Sequence, residues 1–130
     1  MTPDEMRKRT KQFALRTMKL CDALPRTRSG NVVANQLIRS ATSVGANYRA
    51  ACRARSNADF ISKIGITLEE ADESVYWMEL ILESEMKSEK QMALLLKEGC
   101  ELVAIFVASS NTAHKSNGKR INKSNLKSAI

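Results

Sequence analysis

The sequence predicts an all-α fold, an antiparallel up-down-up-down four-helix bundle over residues 1–114 followed by a flexible basic tail over residues 115–130. Apolar residues recur at alternating steps of three and four through four long segments, the period of an amphipathic helix. Two prolines and five glycines are too few for an all-β chain, which needs a turn signal about every ten residues. The breaks between segments are short, and short connections make consecutive long helices antiparallel neighbours.

In the first segment Met6, Thr10, Phe13, Thr17, Leu20 and Leu24 share one face. Pro25 ends it, because proline lacks an amide hydrogen and restricts the residue before it. Arg26 to Asn31 forms a polar connection in which Thr27 or Ser29 can cap the next helix. The second segment places Val33, Leu37, Ala41, Val44, Tyr48 and Ala51 together, and its middle, Ser40 to Asn47, is built from small residues. Gly45 costs a helix interior about 1 kcal/mol against Ala, so a neighbouring helix is expected to approach closely there.

Ser56 with Asp59 approximates a capping box, Asp replacing the usual Glu or Gln. The third segment then carries Phe60, Ile64, Leu68, Ala71, Val75, Met78 and Leu82, with Ile61, Trp77 and Ile81 widening the stripe. Ser84 to Ser88 is the next break, with Ser88 as a cap. The fourth segment carries Met92, Leu95, Leu96, Gly99, Leu102, Val103, Phe106, Val107 and Ser110. Past His114 the composition turns to Lys, Ser and Asn without periodicity, which predicts a tail that does not fold alone.

The longest unbroken apolar run, Leu102 to Ala108, is far shorter than the roughly 18 residues of a membrane span. No apolar core of a secretory signal opens the chain. Cys21, Cys52 and Cys100 are odd in number and far apart, which is neither a disulfide framework nor a zinc site, and each reads as a small buried filler. A reduced, cytoplasmic protein with no membrane partner is expected.

Charge is sorted along the chain. Residues 1–55 hold 12 basic and 3 acidic side chains, residues 56–114 hold 4 and 11, and the tail adds 5 basic ones, which together give the net +7. Two readings stay open. Arg7, Lys8, Arg9, Lys11, Arg16 and Lys19 of the first segment, with Arg26, Arg28, Arg39, Arg49, Arg53 and Arg55, can track the phosphate backbone of RNA or DNA. Alternatively the basic and acidic halves pair, within one chain or between subunits, in a protein-interaction scaffold with no nucleic-acid role. No aromatic residues interleave with the cations, so base stacking is not indicated and binding should be backbone-directed.

Enzymatic chemistry is not expected. Glu69, Glu70, Asp72, Glu73, Glu79 and Glu83 crowd one helix, but a di-metal carboxylate site needs Glu-x-x-His from two helices and the single histidine is His114. That residue is too remote to serve as base for Cys21, Cys52 or Cys100. The glycines are isolated, with no phosphate-binding loop among them. Neither a cofactor nor a metal is called for.

Asn35-Gln36-Leu37-x-Arg39-Ser40, followed by Ser43-Val44-Gly45-Ala46-Asn47-Tyr48-x-Ala50, and the stretch Phe60 to Glu79 with its Glu-x-x-Glu-x-x-Tyr-Trp ending, carry a resemblance. Over residues 11–113 the chain resembles the bacterial four-helix bundle proteins encoded in 23S rRNA intervening sequences. It resembles, more distantly, the accessory variability protein of diversity-generating retroelements. The resemblance implies a ring-like homopentamer with a basic surface, no established enzymatic activity and, for the retroelement cousin, nucleic acid and a reverse transcriptase as partners. Ser43, Ala46, Asn47 and Tyr48 match the family signature, and as a small polar strip on one helix they read, with Gly45, as candidate helix-packing and intersubunit residues. Ala50 stands where the family commonly carries Glu, and Gly45 where many members carry Pro, which implies a straighter helix here.

Overall fold

Side-chain caps set the start of each helix. In the computed structural model, which describes the backbone of residues 1–129 and the side chains of residues 1–118, Thr2 Oγ1 accepts from the Glu5 amide while the Glu5 carboxylate accepts from the Thr2 amide. This capping box opens α1 (Pro3–Asp22). Thr27 caps α2 (Arg28–Cys52) through the Gly30 amide at 3.0 Å, and Ser56 caps α3 (Asn57–Glu83) through the Asp59 amide. Asp59 does not close the box: its carboxylate accepts from the Arg55 amide and from Lys63 rather than from Ser56, and both interactions hold it below the usual carboxylate range. Ser88 and Gln91 bond reciprocally ahead of α4 (Glu89–Ala129).

The four helices succeed one another around a square, each packed on its chain neighbours, with α1 and α4 meeting less closely along the closing seam. No strand occurs among the described residues. Phe13, Leu37, Ile64, Met78, Met92, Leu102 and Phe106 are inaccessible to solvent at its centre. The spacing stripes therefore point inward, with two local departures. Leu24 is buried but lies outside α1, because the Ala23 and Leu24 amides turn back to the Leu20 and Cys21 carbonyls in a tightened last turn. Val107, expected in the core, stands 41% exposed on the outer side of α4.

Buried hydroxyls need partners. Thr10, Thr17, Thr67 and Ser74 each donate to the carbonyl four residues back, and Ser40 to that of Leu37. Ser40 and Ser74 also meet across α2 and α3 at 3.0 Å. Among the described residues no buried side-chain nitrogen or oxygen is left without a partner.

The cysteines divide. Cys21 is buried, and burial pushes its thiol up to about 11. Cys52 and Cys100 are exposed, contrary to the expectation for all three, because one sits in the last turn of α2 and the other on the outward side of α4 beside buried Gly99. Ala113 is the last buried residue among those whose side chains are described, and no helix end marks the boundary expected at residue 115. The helix itself carries on through residues 115–118, and the rest of the expected flexible tail, 119–130, lies outside the residues whose side chains are described. No described helix is long and apolar enough to cross a membrane.

The α3–α4 turn holds a non-glycine residue in the left-handed region, Glu85 at φ 62°. The Met86 amide reaches the Ile81 carbonyl and the Glu85 amide that of Leu82, the two bonds of a Schellman motif. Only glycine takes that conformation without a Cβ penalty of about 1–2 kcal/mol. Glu85→Gly is therefore expected to raise stability by about 1 kcal/mol in urea titration. An unchanged midpoint would contradict the strain.

Candidate functional site

Small residues on α2 meet α1 along one stripe. A Cβ on Gly45 would stand 3.3 Å from Thr10 Oγ1, so the glycine does permit close approach to α1. Outward of that contact a groove of about 470 Å³ lies between the two helices. Its floor is Thr10, Ala14, Thr42, Gly45 and Ala46, and its walls carry Asp4, Arg7, Lys8, Lys11 and Arg49. On α1, Lys8 and Lys11 are three residues apart and Arg7 flanks them, which brings all three to the α2 side or the outer face. Arg49 reaches the same groove from α2.

The twelve cations expected to face phosphate are not equivalent. Arg9 is used in bridging α1 to α4 at the half-buried rim of the bundle: its Nε and Nη2 reach Glu98 at 2.8 and 2.6 Å, and Nη2 reaches Glu101 at 2.6 Å. The bond to Glu98 raises its already high pKa. Arg39 is likewise held by Glu70 and Glu73 of α3. Both cations border the core stripe, where the next helix presents carboxylates three residues apart, so their charge is cancelled locally. Arg7 pairs with Asp4 on the groove wall. Among the described residues Lys8, Lys11, Arg16, Lys19, Arg26, Arg28, Arg49, Arg53 and Arg55 form no ion pair, and all nine are exposed.

They extend well beyond the groove. Arg26 and Arg28 lie at the α1–α2 turn, while Arg53 and Arg55 follow α2 at its other end. Arg28 and Arg53 are thereby about 38 Å apart at 1.5 Å per helical residue. Arg16 and Lys19 stand on α1 between the two ends. The carboxylates of the chain gather instead on α3 and α4, so one side of the bundle is basic and the other acidic.

The five candidate packing residues separate by direction. Tyr48 turns inward, its ring centroid 5.8 Å from that of Phe106, and burial above all pushes its phenol up to about 12. Gly45 faces α1, and Ala46 is exposed on the groove floor. Ser43 donates to the Arg39 carbonyl and Asn47 to the Ser43 carbonyl, so both polar groups are satisfied within α2. Thr42, Thr10 and Ala14, which the spacing did not single out as site residues, complete the floor. For Thr42 the signal was the run of small residues on α2, which reads as a packing feature; Thr10 and Ala14 on α1 had none.

Among the described residues no three His, Cys, Asp or Glu side chains converge as a metal site. Glu70 and Glu73 instead neutralise Arg39, and Glu73 also accepts from the Trp77 indole.

Residues 4–108 match the model of the 23S rRNA-intervening sequence protein family. The fold is similar to that of a crystal structure, at 1.70 Å resolution, of a protein with unknown function from the S23 ribosomal protein family of Bacteroides thetaiotaomicron. The two share 34% identity at a TM-score of 0.74, over 80% of this chain and 96% of that one. No curated protein matches at a significant level.

Proposed function

The chain belongs to the 23S rRNA-intervening sequence protein family, and from that premise we propose that it binds the phosphate backbone of RNA or DNA through its α1–α2 face. In this reading it is a non-enzymatic, oligomeric accessory factor of an RNA-linked element. The observation that carries it is the division among the cations. The arginines that meet α3 and α4 are neutralised there, whereas nine of the twelve cations of residues 1–55 form no ion pair among the described residues and outnumber the scattered unpaired lysines Lys87, Lys90, Lys97 and Lys115 of the α3–α4 turn and α4. Exposed cations held by no carboxylate are free to replace the counterions condensed on a polyanion, and release of those counterions is the main drive for binding.

The test is charge reversal at the groove. Lys8→Glu, Lys11→Glu and Arg49→Glu together are expected to weaken RNA binding by about tenfold or more in fluorescence anisotropy. Reversing Lys90 and Lys97 on α4 should leave it unchanged. Undiminished binding by the groove variant would count against the face.

The scaffold reading draws on a different feature. On α3, Ile66 and Tyr76 are 42% and 53% exposed among Glu69, Asp72, Glu79 and Glu83, a surface complementary to the basic side of a second copy. The same groove variant decides between them: a lower mass in light scattering with unaltered RNA affinity would favour the scaffold.

A further inference from the structure

We propose that the α1–α2 groove seats an unpaired nucleotide, so that the protein takes single-stranded nucleic acid in preference to duplex; this rests on the reading of the face as a nucleic-acid surface. A phosphate backbone needs only exposed cations, and those run along the whole face. The groove adds a recess of about 470 Å³, within the roughly 300–1,000 Å³ of small-molecule sites.

Its chemistry is layered. Gly45, Ala46 and Ala14 give the floor a low, largely apolar relief. The two hydroxyls beside them are committed elsewhere: Thr10 Oγ1 donates to the Met6 carbonyl at 2.9 Å and Thr42 Oγ1 to that of Ile38 at 2.7 Å. The floor therefore spends its donor hydrogens on its own backbone, while Lys8, Lys11 and Arg49 stand above it on the walls. A nucleotide has the same layers, a flat apolar base face and an anionic phosphate. A regular duplex keeps its base faces stacked inside and can engage only the walls, whereas an unpaired strand can turn a base onto the floor. Because the groove holds no aromatic ring, the base is held by apolar contact rather than stacking, and one base is not strongly preferred over another.

The test uses the full-length protein with an oligouridylate and an RNA duplex of equal length, in anisotropy titrations at one salt concentration. The single strand is expected to bind about fivefold tighter or more, from the apolar area the base buries on the floor. Ala46→Leu fills the recess from an exposed helical position and leaves every cation in place. It is expected to remove that preference, bringing the single strand to the affinity of the duplex with duplex binding unchanged. A circular dichroism melt matching the wild type shows that the bundle is intact. Equal affinity for both RNAs, or a preference that survives Ala46→Leu, overturns the nucleotide seat and leaves the phosphate-binding face standing. Affinity for neither RNA at low salt overturns both.

Discussion

Phe13→Ala is expected to destabilise the bundle by about 3–5 kcal/mol, the upper end of what a single core truncation costs. Phe13 is inaccessible to solvent and faces Gly99 across the α1–α4 seam, the loosest of the helix contacts that close the bundle. Its ring edge would stand 3.6 Å from a Cβ placed on Gly99, so the missing side chain on α4 is the space that the ring occupies. The same glycine lets α4 approach Val75 of α3, whose Cγ2 would be 3.1 Å from that Cβ. Truncation thus empties a seam across which Arg9 also pairs with Glu98 and Glu101, at the half-buried rim. Exposed ion pairs contribute only about 0–1 kcal/mol each and cannot compensate. Urea titration should show a lower midpoint with the slope preserved; a loss under about 1 kcal/mol would mean that the seam is not closed by this ring.

Gly30→Ala comes next, at about 2–3 kcal/mol. Gly30 lies in the first turn of α2, and a Cβ there would overlap the backbone carbonyl oxygen of Pro25 and come within 3.1 Å of the capping hydroxyl of Thr27. A backbone atom cannot rotate aside as a long side chain can. The chain must therefore shift the turn that joins α1 to α2 or give up the cap. Gly65 in α3 is the counterpart, since a Cβ there meets nothing within 4 Å. Gly65→Ala is expected to stabilise by about 0.5–1 kcal/mol through helix propensity alone. Opposite signs for the same chemical change, read from thermal melts, would support the packing described. A neutral Gly30→Ala would contradict it.

How much of this was legible beforehand follows from what a spacing pattern encodes. A three-four period reports which side of a helix is apolar, and so it located the four helices and the inward stripes, while a count of charges along the chain showed their sorting between α1–α2 and α3–α4. It does not report which helix lies on each flank. Arg9 and Arg39 looked like surface cations for that reason, although the flanks they occupy carry Glu98, Glu101, Glu70 and Glu73. Gly30 read as an isolated glycine because its constraint comes from a carbonyl five residues earlier, across a turn.

The groove was half visible. Small residues from Ser40 to Asn47 announced a close helix contact, and that contact is with Thr10. The recess outside it depends on Ala14 and Thr42 adding their small size at the same level, a coincidence between two helices that neither spacing contains. Cys52 and Cys100 were misplaced for a related reason: apolar neighbours in sequence are not neighbours on a helix face, where residues three and four apart meet.

The claim on which the functional account depends is that cations of the α1–α2 face neutralise phosphates. Its most direct test is the salt dependence of RNA binding by the unmodified protein. If Lys8, Lys11 and Arg49 each displace a counterion, the logarithm of affinity should fall linearly with the logarithm of salt concentration, at a slope of about −2 to −3, and more steeply as further cations of the face take part. A slope near zero, or no affinity at low salt, would contradict the account.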